Sequence, residues 1–252
     1  MTQTIALAGK GGTGKTTIAA LIVKHLIETR RGTILAIDAD PSSNLNLALG
    51  LPLTRTVGDI REDMLAGVDK TVGKSIARRD YLDAEIRYAL EEGDEVDLLA
   101  MGRPEGQGCY CAVNHLLREI VDGLNRAYDY VVIDNEAGME HLSRRTTRDV
   151  DVLLVVTDPT VRGILAAKSI IQLAHDLKIN VKRSLLVVNR ANGSIPPAVQ
   201  TEIDKSSIEL AGVVPADPLI NAFDAEGKPI VALDGTSPAA AAVGRLARAI
   251  LN

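Results

Sequence analysis

Nine residues near the start of the chain, Gly9 to Thr17 in the stretch GKGGTGKTT, have the types and the spacing to hold a row of phosphates. They fit the pattern G-x-x-x-x-G-K-[ST] without a gap from Gly9 to Thr16. Gly9, Gly11, Gly12 and Gly14 permit a tight loop in which successive backbone N–H groups, those of Lys10 and Thr13 included, turn toward phosphate oxygens. Lys15 is long enough to reach the β- and γ-phosphates, the Thr16 hydroxyl can bind Mg²⁺, and Thr17 follows at the positive end of the helix that the loop opens. A glycine-rich turn without a ligand would explain the glycines but not Lys15 and Thr16 together. ATP or ADP with Mg²⁺ is the expected cofactor. A loop reading guanine would want a carboxylate a few residues after Asn189 and Arg190, and position 192 is Asn192, which favours ATP over GTP.

Two carboxylates downstream extend this chemistry. Asp134 ends the hydrophobic run YVVID, the sequence form of a Walker B strand, and is expected to meet Mg²⁺ directly or through water. Gly138 gives the segment after it freedom to move with a γ-phosphate. Asp40, in DADPSSNL, follows a strand end and precedes Pro41, near the γ-phosphate in a fold of this kind; a turn-forming Asp-Pro is the plainer reading.

Both cysteines of the chain, Cys109 and Cys111, sit one residue apart in GQGCYCAVNH, residues 106–115. Two thiolates hold a soft metal, but a closed tetrahedral site needs four ligands. His115 is the nearest further donor in the loop, and a lone His near a helix start is more often a cap or a surface residue. Reduced thiols buried in a core are the plain alternative, weakened by the glycines around them.

These residues need a scaffold that places strand ends side by side. Seven short runs, TIALAG, TILAIDAD, VDLLAMG, YVVIDNEAG, VDVLLVVTD, SLLVVNR and IELAGVVPAD, are apolar on both faces and alternate with helical patterns. The reading is an α/β fold, a P-loop NTPase with a mainly parallel sheet and helices on both faces, formed by residues 1–252 as a single domain. Lys15 to Thr29 and Val113 to Tyr128 carry apolar residues at helical spacing, and SPAAAAVGRLARAIL reads as a closing helix behind a Ser cap and Pro238. Residues 51–95 turn polar and charged and read as short helices inserted at one rim. Aromatics are only 2% of the chain with no Trp, so the core must be aliphatic.

Net charge is −5, from 28 basic against 33 acidic residues, which gives no global field to draw nucleic acid. The opening MTQTIALAGK reads as a first strand, not an export signal, and no apolar run approaches the roughly 20 residues of a membrane span. The expected compartment is the cytoplasm, where thiols are reduced.

Lys10, the second residue of the phosphate loop, is not needed for the cradle. With it the loop resembles the deviant P-loop of ATPases whose signature lysine reaches across a dimer interface to the partner's nucleotide. GKGGTGKTT, DADPSSNL, RPEGQGCYC and DNEAGMEHLSRRT together resemble the CooC-type accessory ATPases that help insert nickel into carbon monoxide dehydrogenase. The resemblance covers nearly the whole chain, and GRPEGQGCYC is its narrowest part. It implies that Asp40 is the switch I aspartate that orients the attacking water and meets Mg²⁺ directly or through water, with Asn44 from the same motif. It implies that Asn189 reads the adenine edge, while Val214, Pro215 and Ala216 pass their backbone around the base. DNEAG departs from the commoner form of the superfamily, which has Pro before the glycine.

The resemblance also implies a homodimer formed on ATP or metal binding, in which Cys109 and Cys111 of two chains would make a shared four-sulfur site near the two-fold axis. Such a site suits Zn²⁺ and could take Ni²⁺; four thiolates also hold an iron–sulfur cluster. A nickel-dependent carbon monoxide dehydrogenase is the implied client. Rival readings are a MinD-like or ParA-like spatial or partition switch and an electron-transferring iron protein. The first two would want a basic amphipathic anchor or a basic DNA-binding stripe. The expectation is therefore no nucleic-acid partner and no membrane anchor.

Overall fold

The computed structural model describes residues 2–66, 78–103, 119–137 and 149–251. Seven parallel strands form one sheet: β1 (Gln3–Gly9), β2 (Ile34–Ala39), β3 (Asp97–Ala100), β4 (Tyr130–Asn135), β5 (Asp149–Thr157), β6 (Asn180–Ala191) and β7 (Glu209–Pro215). Their order is β3-β2-β4-β1-β5-β6-β7, so the chain starts at the middle strand and builds toward both edges. Every apolar strand run read from the sequence is one of these strands. Central positions such as Ile5, Leu7, Leu35, Ile37, Val131 and Ile133 are fully buried, because helices cover both faces.

One face carries α1 (Lys15–Glu28), α2 (Leu45–Leu49), α8 (Pro218–Glu226), a 3-10 turn (Ile230–Ala232) and α9 (Pro238–Ile250). The other carries α3 (Val57–Leu65), α4 (Arg78–Tyr88), the helical residues 119–125 (α5), α6 (Val161–Asp176) and α7 (Pro197–Ser206). As expected, α1 opens directly from the phosphate loop, burying Ile18, Leu21, Ile22 and Leu26 on the sheet. Likewise α9 starts behind a Ser237 cap, whose hydroxyl accepts from the Ala240 N–H at 3.0 Å, with Pro238 in the first turn. The charged region after Leu51 supplies α3 and α4. A reciprocal capping box between Thr56 and Asp59 starts α3, and Arg55 binds Asp63 of α3 and Glu85 of α4.

Parallel order brings all strand C-terminal ends to one rim. There β1 runs into the phosphate loop, β2 into Asp40, β4 into Asp134, β6 into Asn189 and β7 into Pro215. The strand order reverses at β1, and a crevice at such a switch point is where ligands bind open α/β sheets.

Candidate nucleotide site

The loop between β1 and α1 has the backbone that its glycines permit. Gly12 and Gly14 have φ of 79° and 89°, in the left-handed region, and Gly14 is the N-cap of α1. A β-carbon on Gly14 would run into the Asn189 amide nitrogen, and one on Gly9 into the Val156 carbonyl. The Lys10 carbonyl accepts from the Thr13 hydroxyl at 2.9 Å and from Lys15 Nζ at 3.4 Å, so the Lys15 ammonium lies against the loop it would serve. Lys15 is only 7% exposed, whereas Lys10 is exposed. The first-turn N–H groups of α1 open at this rim, as anion binding requires.

Below the loop, Asp38 and Asp134 are register partners on β2 and β4 and project to the α1 face. Both are 1% exposed. Asp134 Oδ2 accepts from the Thr16 hydroxyl at 2.5 Å, and its Oδ1 is buried with no hydrogen-bond partner among the described residues. Burial pushes the Asp134 carboxyl up to about 7; the Thr16 bond opposes this, the Asp38 charge adds to it and Lys15 counters it. Burial likewise raises Asp38 to about 6, against the N–H groups of Leu45 and Asp40, which donate at 2.8 and 3.0 Å. Two buried acids side by side, one with an orphaned oxygen, suit a divalent cation as countercharge. The residues therefore fit Mg²⁺: Thr16 and Asp134 would hold it and Asp38 would stand behind them. One or two carboxylates plus nucleotide phosphates is the usual donor set for this ion.

Asp40 lies one turn further out. Its Oδ1 accepts from the Ser42 N–H at 2.9 Å, and its carbonyl accepts from the Ser43 N–H at 3.0 Å, so the turn-forming geometry of Asp-Pro is present. The same turn sets Asp40 beside the buried acid pair.

On the other side of α1 a cleft of about 180 Å³ is lined by Thr17, Asn189, Arg190, Asn192, Pro215 and Asp217, among others including Val214 and Ala216. The sequence-derived base contacts thus share one cleft beside the loop. Asn189 also clamps the cradle: its Nδ2 donates to the Thr13 carbonyl at 2.8 Å, and its Oδ1 accepts from the Arg190 N–H at 2.9 Å. Arg190 has φ of 58° in the irregular end of β6, and its guanidinium donates to the Gly12 carbonyl at 2.9 Å. A non-glycine residue held left-handed beside a phosphate loop is backbone strain placed at a site.

Sequence reasoning passed over Asp38, although DAD places two acids two apart at a strand end, where period two puts both on one face. It also passed over Asn135, whose Nδ2 donates to the Leu7 carbonyl at 2.7 Å where β1 and β4 part, and whose Oδ1 is a second buried oxygen with no hydrogen-bond partner among the described residues. Cys109, Cys111, His115 and Gly138 lie outside the described residues, as does the loop 106–115. Among the described residues no group of three His, Cys, Asp or Glu could hold a metal ion, and no helix is long and apolar enough to cross a membrane.

The profile of the CobQ/CobB/MinD/ParA nucleotide binding domain matches residues 4–230. An uncharacterized ATP-binding protein of Methanocaldococcus jannaschii is 41% identical over 249 residues, 98% of each chain. The carbon monoxide dehydrogenase accessory protein CooC of Rhodospirillum rubrum is 32% identical over 236 residues, 88% of this chain and 87% of that one. Among solved structures, the Pyrococcus furiosus cell division ATPase MinD superposes with a TM-score of 0.71 at 26% identity, covering 100% of this chain and 99% of that one.

Proposed function

The chain belongs to the CobQ/CobB/MinD/ParA family of nucleotide-binding domains, and from that premise we propose that it is a Mg²⁺-dependent ATPase of the cytoplasm that assists nickel insertion into carbon monoxide dehydrogenase. What supports the narrower half of this reading is the GRPEGQGCYC segment in a chain alike over most of its length to the Rhodospirillum rubrum accessory protein. Nucleotide binding itself rests on the loop, the buried acid pair and the base cleft lying on one rim.

In the proposed cycle the N–H groups of residues 10–16 and the Lys15 ammonium hold the β- and γ-phosphates, and Asn189 and the 214–216 backbone hold adenine. Mg²⁺, when bound, would offset phosphate charge as the terminal phosphoryl group leaves. Asp40 orients the attacking water. Exposed Lys10 gains a phosphate partner only when a second subunit closes over it, so ATP favours a homodimer and hydrolysis releases it. The same closure brings Cys109 and Cys111 of both chains together around one cargo ion, Ni²⁺ or Zn²⁺, and couples metal affinity to nucleotide state.

The test is an anaerobic titration of the purified protein with Ni²⁺ and with Zn²⁺, recording metal per chain and molar mass by light scattering, in ADP and in ATP. One ion per two chains, appearing with the dimer and lost on replacing both cysteines by Ala, is expected. A protein that dimerises with ATP but takes up no metal would leave a MinD-like nucleotide switch instead.

A further inference from the structure

Asp217 is 5% exposed, lines the base cleft, and has both oxygens occupied. Its Oδ1 accepts from the Leu219 N–H at 2.9 Å and so caps α8. Its Oδ2 accepts from the Ser237 hydroxyl at 2.6 Å and the Ala239 N–H at 3.2 Å, which are the cap and first turn of α9. Ser237 is itself 1% exposed. One carboxylate therefore sits at the positive ends of two helices and joins them.

The residues just before Asp217 are the base-facing ones. On one side they are fixed to the sheet: Pro215 is the register partner of Ala191, and the Ala216 N–H donates to the Ala191 carbonyl at 3.2 Å. On the other side the fixation is Asp217. The rest of α9 packs against β7 and against α1, the helix that carries the phosphate loop. The C-terminal helix thus touches the base wall at its start and the phosphate helix along its body.

We propose that Asp217 is a positioning residue for nucleotide base recognition, holding the 214–216 wall in its binding shape by tying it to α9 through Ser237. The proposal rests on the nucleotide reading above and deepens it. A wall held from two sides is pre-organised, so the base binds without paying to order it; released from α9, the wall must be ordered on binding. The cradle for phosphates, anchored by β1 and α1, does not depend on that tie. The consequence is a split between base and phosphate affinity.

Asp217→Ser keeps a good cap for α8, yet is too short to reach α9. Ser237→Ala removes the shorter of the two Asp217 bonds to α9 from the other end and leaves the longer one from the Ala239 N–H. Dissociation constants for Mg·ADP and for inorganic tripolyphosphate are measured on the wild type, each single variant and the double variant. Each single variant is expected to weaken ADP about tenfold and tripolyphosphate less than twofold. The double variant should weaken ADP no more than Asp217→Ser alone does, because Asp217→Ser already removes the Asp217–Ser237 bond that Ser237→Ala breaks. Wild-type ADP affinity in a folded Asp217→Ser protein would overturn the proposal, and so would an equal loss for both ligands. If Asp217→Ser does not fold, the ADP and tripolyphosphate constants of Ser237→Ala decide by the same criteria. A wild-type protein that binds neither ligand would instead remove the nucleotide reading itself.

Discussion

At Asp134 the residue's chemistry and its surroundings oppose each other. A carboxyl that ordinarily loses its proton at 3.8 is held protonated up to about 7, chiefly by burial. In the metal-free protein the folded chain therefore binds a proton that the unfolded chain has already lost between these values. The stability that the neutral acid contributes is complete below the unfolded value and is lost as pH rises through about 7. Asp134→Asn, which stays neutral, should remove this slope and stabilise the metal-free protein at pH 8 by a few kcal/mol, at about 1.4 kcal/mol per pKa unit. The same change should abolish Mg²⁺-dependent hydrolysis. Urea unfolding in EDTA from pH 5 to 8.5 reads the first effect; an Asn variant less stable than wild type at pH 8 would mean the charge is already compensated in place.

Among the elements, α1 bears the largest share of the site. Its N-terminus is the proposed phosphate cradle, its Thr16 holds Asp134, and its buried side packs on the sheet and on α9. Ile22 is fully buried in that packing. Ile22→Ala should cost about 2–5 kcal/mol, as buried large-to-small changes do, and lower the urea midpoint without altering the slope. Because the change lies two turns below the cradle, ADP affinity of the protein that remains folded should stay within about twofold. A tenfold loss would show that the cradle follows the packing of α1.

For the whole molecule, the decisive question is whether one chain suffices for hydrolysis. If Lys10 acts across an interface, ATPase activity per chain should rise with protein concentration and then level off, and Lys10→Ala should flatten the curve at a low value. Constant activity per chain across a dilution series in which light scattering shows dimers giving way to monomers would rule out that role for Lys10.

The sequence by itself determined the glycine loop between the first strand and helix, the seven strands, the first and last helices and the acid near the end of β4. Each of these is local: a fixed spacing, a run of apolar residues or a cap carries the signal within one segment. It also placed Asn189, Arg190 and residues 214–216 at strand ends, without their mutual distances. Only the tertiary structure decided what depends on neighbours far along the chain. Thr16 meets Asp134 across 118 positions, and Asn189 meets the Thr13 carbonyl across 176. Asp38 reads in sequence as one more acid in DAD; it becomes a raised-pKa partner of Asp134 because parallel pairing of β2 and β4 sets them side by side in the dry interior. Asp217 reads as a cap before a proline, and its second oxygen has a role only because folding brings Ser237 to it. Desolvation and close approach are properties of packing, and packing is assembled from segments that no local pattern relates.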